Sequence, residues 1–248
     1  MSKIVGRNAR VLLGARDYSG QANSATLTFS AEAPEVTTFA DGTRARLSSG
    51  IRDVELALDA FFGTGASEVD ADMTNMLAAS VMTGFYPNGY SASRQGYELA
   101  GIVTNYEQTY AAADAAAVSV TVGGLAGSGN FGLYVAKSLY QGTLSGAGAS
   151  NLSSVDFSGS SGTSIGIVRC LTLSGTNPSF SACIQEANDD STFTTIYAVT
   201  SVSPNALGPI IGASFSSPLA SASRYRRVAA SLSGTSPCAT FFVASASF

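Results

Sequence analysis

Strict alternation of side-chain character from Asp53 to Phe62 leaves this stretch little freedom in what it can become. Val54, Leu56, Leu58, Ala60 and Phe62 fall on one side of a period of two, and Asp53, Glu55, Ala57, Asp59 and Phe61 fall on the other. Read as a β-strand, it has one apolar face and one mostly acidic face. Burial of the four large apolar side chains, Val54, Leu56, Leu58 and Phe62, contributes roughly 1.5 to 3 kcal/mol each. A slip of one residue buries carboxylates instead, so the register is strongly specified. Such a strand requires a core behind it and water in front. The segment before it, VTTFADGT from Val36, reads as a bend, with Asp41-Gly42 as its turn signal.

What surrounds this strand is read as mainly β. Apolar residues make up 45% of the chain and charged residues 12%, too greasy and too weakly charged for disorder. The 26 glycines, amid abundant Ser, Thr and Ala, favour short strands joined by many turns over a helical bundle. The length of 248 residues suits two domains of about 100 to 150 residues each.

Charge narrows the range of partners. Net charge is −4, so a grip on nucleic acid through phosphate neutralisation has no global support. The acidity lies in the first part: residues 1–150 carry 9 basic and 13 acidic side chains, and residues 151–248 carry 4 of each. A nearly uncharged second half rich in Ser, Thr, Gly and Ala fits a bulk structural protein better than a free enzyme. No apolar run is long enough to cross a bilayer and no export signal follows Met1, so a soluble chain with no membrane insertion is expected.

Along the chain, residues 8–18 and 25–33 read as the first strands. The second turns Leu27, Phe29 and Ala31 inward and Thr26, Thr28, Ser30 and Glu32 outward. One helix is expected after the alternating strand. Ser67 caps it with Asp70 as its capping-box partner, Val69, Met73, Met76, Leu77 and Val81 form its apolar stripe, and Gly84 ends it. The stripe is read as facing a sheet, in preference to a partner groove. Residues 96–109 and 116–122 are strands again, the second with Val118, Val120 and Val122 in and Ser119 and Thr121 out. The segment 141–150, QGTLSGAGAS, with three glycines and no charge, reads as a linker. Beyond it LSGT-x-P occurs twice, from Leu173 and from Leu232, and is read as two similar hairpins. Strands near 165–173, 179–187, 193–200, 209–215, 224–232 and 238–247 suggest a β-sandwich.

Most chemistry is refused by the residues themselves. The absence of His removes the usual base of Ser and Cys nucleophile systems and the commonest transition-metal ligand. The three cysteines have no CxxC spacing for zinc. Free thiols are expected over a Cys170–Cys183 bridge. Asp70-Ala71-Asp72 opens like a calcium loop, but its sixth position is Asn75 and its twelfth is Val81. The glycines at 123–129 lack the Lys of a phosphate loop. Asp53, Glu55 and Asp59 are read as a solvated strand face in preference to an acid/base pair for sugar cleavage. No enzymatic activity, cofactor or metal is expected.

The segment VTTFADGT, then basic and turn residues, then SGIRDVELALDAFFG and the capped stretch after it, resembles the major tail tube subunits of long-tailed bacteriophages. The elements that carry the resemblance are Thr37 to Gly42, Gly50 before the alternating strand, and Phe61 to Gly63 closing it. The lack of Trp departs from many members. The resemblance implies a tail-tube-type β-barrel or sandwich with one α-helix over residues 1–140. Residues 141–150 become the linker, and residues 151–248 an external β-sandwich, Ig-like in broad architecture. It further implies a virion tail location after assembly in the host cytoplasm, and stacked hexameric rings of this chain with other tail proteins at the tube ends. Viral DNA passes transiently through the lumen without sequence-specific binding. Asp53, Glu55, Asp59 and Glu32 are then lumen-facing, and Val54, Leu56, Leu58 and Phe62 form the buried strand face. Two other readings stand beside it: a capsid or head-completion protein, and a carbohydrate-binding adhesin whose second half stacks Tyr197 or Tyr225 on sugar.

Overall fold

The structure is a computed structural model, and it describes residues 8–14, 16–31, 52–61, 76–78, 80–110, 116–125, 132–157, 163–202, 217–218 and 224–247. Their regular structure is almost entirely strand. In chain order the strands are β1 (Arg10–Leu13), β2 (Arg16–Asp17), β3 (Ala22–Ala31), β4 (Arg52–Phe61), β5 (Ser80–Tyr86), β6 (Gln95–Thr109) and β7 (Ala117–Gly124). There follow β8 (Leu133–Ser145), β9 (Gly148–Asn151), β10 (Val155–Asp156), β11 (Thr163–Ala187), β12 (Thr194–Val202), β13 (Ser217–Pro218) and β14 (Tyr225–Ser247). The fold is mainly β, as the composition indicates.

The chain forms two compact units that do not follow the expected boundaries. One comprises Gln21–Ser80 and Leu99–Leu133; the other comprises Met1–Gly20, Val81–Glu98 and Tyr134–Phe248. The first is built on the antiparallel order β3-β4-β7-β6. The second follows the order β12-β11-β14-β8-β6-β5-β1-β2, with β6 lending its opening residues.

Three expectations are corrected here. The linker is not one: residues 141–145 continue β8 and pair with β14 from Phe242 to Cys238, and residues 148–151 are β9, paired with β14 from Leu232 to Ala229. Gly142 serves close packing, since a Cβ there would stand 2.5 Å from the Tyr140 hydroxyl. The helix expected from Ser67 has its first turns outside the described residues, but Val81 and Gly84 belong to strand β5. Val81, Met82 and Thr83 are all buried, and a short run buried on both faces has no period to tell strand from helix.

The third correction concerns the echo. The expected strands 165–173 and 179–187 are one continuous β11, and 224–232 and 238–247 are one continuous β14, paired along nearly their whole length. The two LSGT-x-P segments are not hairpins but corners that face each other. Ser174 stands opposite Cys238, Thr176 opposite Thr235 and Ser179 opposite Ser233, with register shifts between. Gly175 (φ +126°) and Gly234 (φ +113°) take matching left-handed-side conformations, as do Asn177 (φ 48°) and Ser236 (φ 49°). A third copy of Leu-Ser-Gly, at Leu144 to Gly146, lies beside them. Gly146 (φ +86°) donates its N–H to the Pro237 carbonyl at 2.9 Å. Three adjacent chain segments thus bend together, each sending the Leu before its glycine, Leu144, Leu173 and Leu232, toward one core. The bent ribbon closes over that core, where Phe180 and Phe241 of its two arms meet with ring centroids 4.8 Å apart. Cys170 and Cys183 lie on either side of the β11 corner, and all three cysteines are free thiols. Burial pushes the Cys170 thiol up to about 11.

Candidate assembly surface

Strand β4 carries the alternation onto the structure. Val54, Leu56, Leu58 and Ala60 are buried, and Asp53, Glu55 and Asp59 are exposed. Its neighbours extend both faces by register. On the apolar side Val118, Val120 and Val122 of β7 are buried beside it. On the polar side one row runs Ser24, Asp59, Ser119, Glu107 across all four strands, and the next runs Thr26, Ala57, Thr121, Asn105. Thr28 stands opposite Glu55 and Ser30 opposite Asp53, so β3 presents four exposed hydroxyls along the carboxylates of β4. Glu107 was not singled out in the sequence; only the β6–β7 register brings it to the row.

The face is fixed by short hydrogen bonds. Ser24 Oγ donates to Asp59 Oδ2 at 2.6 Å, and the Val54 N–H donates to Asp53 Oδ1 at 2.8 Å. Thr104 Oγ1 donates to the Thr121 carbonyl at 3.3 Å. Among the described residues no Lys or Arg pairs with Asp53, Glu55 or Asp59. The unit as a whole, Gln21–Ser80 with Leu99–Leu133, holds 3 basic and 11 acidic residues, a net of −8. The other unit holds 10 and 6, a net of +4, so the acidity is more concentrated than a cut at residue 150 suggests. Glu32, Phe62 and the VTTFADGT bend lie outside the described residues.

At the side of this sheet β3 pairs only with β4 among the described residues. Among the described residues it therefore has one unpaired side, and its ten residues include no Pro, Lys or Arg, the devices that normally blunt an edge. This corrects the inward placement of Phe29 and Ala31. Both share the apolar side with Leu27, yet Leu27 is half-buried, Phe29 is 55% exposed and Ala31 is exposed. Phe61, Leu77 and Tyr110 of the same unit are also more than half exposed. Single exposed apolar side chains are ordinary; four large ones in one small unit suit contact with another chain.

The other unit holds a buried polar cluster that composition gave no means of finding. Arg169, 1% exposed, donates through Nη1 and Nη2 to the two oxygens of Glu98 at 2.7 and 2.6 Å, and through Nε to the Gly14 carbonyl at 2.7 Å. Tyr86 donates its hydroxyl to Glu98 Oε1 at 2.6 Å. Burial alone would lower the Arg169 pKa, but the Glu98 carboxylate outweighs it and the net shift is upward. Burial, and then the Glu98 charge, hold the Tyr86 phenol well above its usual range. Gly84 leaves the space: a Cβ there would lie 2.8 Å from Glu98 Oε1. The cluster opens to no solvent and carries no chemistry beyond holding β5, β6 and β11 together. Of the two tyrosines proposed to stack on sugar, Tyr225 is half-buried with the Arg224 guanidinium 5.1 Å over its ring, and the Tyr197 side chain lies outside the described residues.

No family model matches the sequence, and no curated protein matches it. Among solved structures the chain is similar to a component of the virion of a native gene transfer agent particle, at 13% identity over 54% of this chain and 98% of the other, with a TM-score of 0.42. It is similar to a component of the tail of an empty gene transfer agent particle of C6 symmetry, at 14% identity over 44% and 79%, TM-score 0.35. It is also similar to the Dit protein of SPP1, described as a paradigm of the hub adsorption apparatus in phages infecting Gram-positive hosts, at 12% identity over 95% and 98%, TM-score 0.36. At this level of likeness neither fold nor function transfers.

Proposed function

We propose that this chain is the structural subunit of a bacteriophage tail tube, assembling into stacked six-membered rings whose acidic lumen conducts viral DNA. The observation that carries the reading is the hydroxyl-and-carboxylate face of β3-β4-β7-β6 in a unit of net charge −8, with β3 paired on one side only among the described residues. A conduit for DNA must not hold it: basic linings bind the polymer by counterion release, whereas carboxylates repel it and hydroxyls keep the wall wet. Asp53, Glu55 and Asp59 line the channel in this reading, with Ser119, Thr121 and Glu107 beside them. The β3 edge of one copy adds to the sheet of the next, which closes the wall and covers Leu27 and Phe29. The protein works by shape and charge, without catalysis or a bound cofactor, in the virion tail.

Negative-stain microscopy of the purified full chain tests this. Rings or tubes with a central hole are expected, and Thr26→Pro in the edge strand should leave folded monomers. A chain that stays monomeric at high concentration, or whose assembly ignores the edge-strand change, overturns the reading.

A further inference from the structure

A groove of about 720 Å³ opens in the unit that carries β8 and β14, away from the carboxylate face and unused by the reading above. That volume lies within the usual range for small-molecule sites. Its aromatic side chains are held rigidly from behind. Tyr140 is tilted against Phe241 with centroids 4.9 Å apart, and Tyr90 packs on Phe242 at 4.8 Å and edge-on to Tyr86 at 5.7 Å. Its rim is polar. Gln141 and Asn151 bring planar amides to it, and neither amide has a side-chain partner among the described residues. Arg10 and Asp17 complete the rim. Arg10 sits 5.9 Å from the Tyr90 ring centroid, and Asp17 accepts the Ser19 N–H through Oδ1.

We infer that this groove binds a neutral saccharide. A pyranose offers an apolar C–H face for the half-buried Tyr140 ring and a ring of hydroxyls that both donate and accept, the pattern that amides, a carboxylate and a guanidinium satisfy together. One cation is balanced by one anion, so the lining does not select a phosphate or an acidic sugar. A lining richer in polar than apolar groups does not suit a greasy ligand. The rigid aromatic floor lowers the ordering cost of binding, which matters for a weak, hydroxyl-rich ligand. The site differs from the Tyr197 and Tyr225 positions considered from sequence, and it stands whether or not the chain forms a tube.

Saturation-transfer NMR on the full chain tests the inference, with lactose, maltose and chitobiose each at about 10 mM, a concentration that fills a millimolar site. At least one of the three should receive saturation at its ring protons, and inorganic phosphate at the same concentration should not displace it. The double variant Gln141→Ala/Asn151→Ala changes exposed groups only and should keep the wild-type melting temperature while weakening the affinity at least tenfold. Thr195→Ala, on β12, should leave binding unchanged. Transfer to none of the three sugars, displacement by phosphate, or equal transfer to the wild type and the folded double variant would each overturn it.

Discussion

At the scale of single residues, the largest stake lies with Glu98 and Arg169. A bidentate pair with both side chains almost wholly removed from water is close to break-even as a unit, yet removing one partner strands the other charge in a medium that cannot solvate it. Glu98→Gln is therefore expected to cost about 3 to 5 kcal/mol in guanidinium chloride unfolding. Glu98→Gln combined with Arg169→Met should be more stable than Glu98→Gln alone, since no unpaired ion remains. A single-variant loss under about 1 kcal/mol would mean that water reaches the pair. Nothing in the local sequence announced the cluster. A lone Arg in IVRCLTL and a lone Glu in YELAG look like outward residues of ordinary strands. Only the pairing of distant strands brings them 71 positions across the chain into one contact.

At the scale of elements, what was legible followed from how much of a strand's environment its own pattern encodes. β4 alternates because one face is wet and the other dry, so its boundaries and facing could be read directly, as could those of β7. β5, buried on both sides, has no such contrast, and its apolar run was absorbed into the helix before it. The corners were misread for a different reason. Leu-Ser-Gly-Thr followed by Pro has the composition of a reversing turn, and whether a chain reverses or merely kinks depends on what lies opposite, which one segment cannot state. The kinks make a demand of their own. A Cβ on Gly234 would meet the Asn177 carbonyl at 2.7 Å, in a φ region that L side chains avoid. Gly234→Ala should then lose about 1 to 3 kcal/mol, measured by thermal or denaturant unfolding. Gly20→Ala, with open space around its Cβ position, should lose far less. Truncation after residue 150 tests the unit boundaries in the same way. It removes β14, the partner of both β8 and β9, so the shortened chain is expected to be insoluble. A soluble, cooperatively melting fragment would restore the linker.

At the scale of the whole molecule, the separation of charge into a unit of −8 and a unit of +4 sets the test that reaches function. Replacing Asp53, Glu55 and Asp59 with Lys changes each copy by six charges and brings the acidic unit to −2. The three side chains are exposed and, among the described residues, have no cationic partners, so folding should be little affected. Isolated charges on a surface act weakly across salt water, with a screening length of about 8 Å at physiological ionic strength. In the proposed ring they repeat at close spacing, and DNA in its channel cannot move out of their range, so their fields add. The neutral change Asp53→Asn/Glu55→Gln/Asp59→Asn removes repulsion without creating attraction and should leave tube assembly and DNA ejection close to wild type. The Lys version should assemble, yet slow or stall ejection, most severely at low salt and progressively less as salt is added, because released counterions drive the binding. Ejection timed by DNA-dye fluorescence across a salt series reads both arms. Normal tails that deliver DNA at the wild-type rate in low salt with Lys at all three positions would move these residues off the channel wall, and the tube assignment of the carboxylate face would go with them.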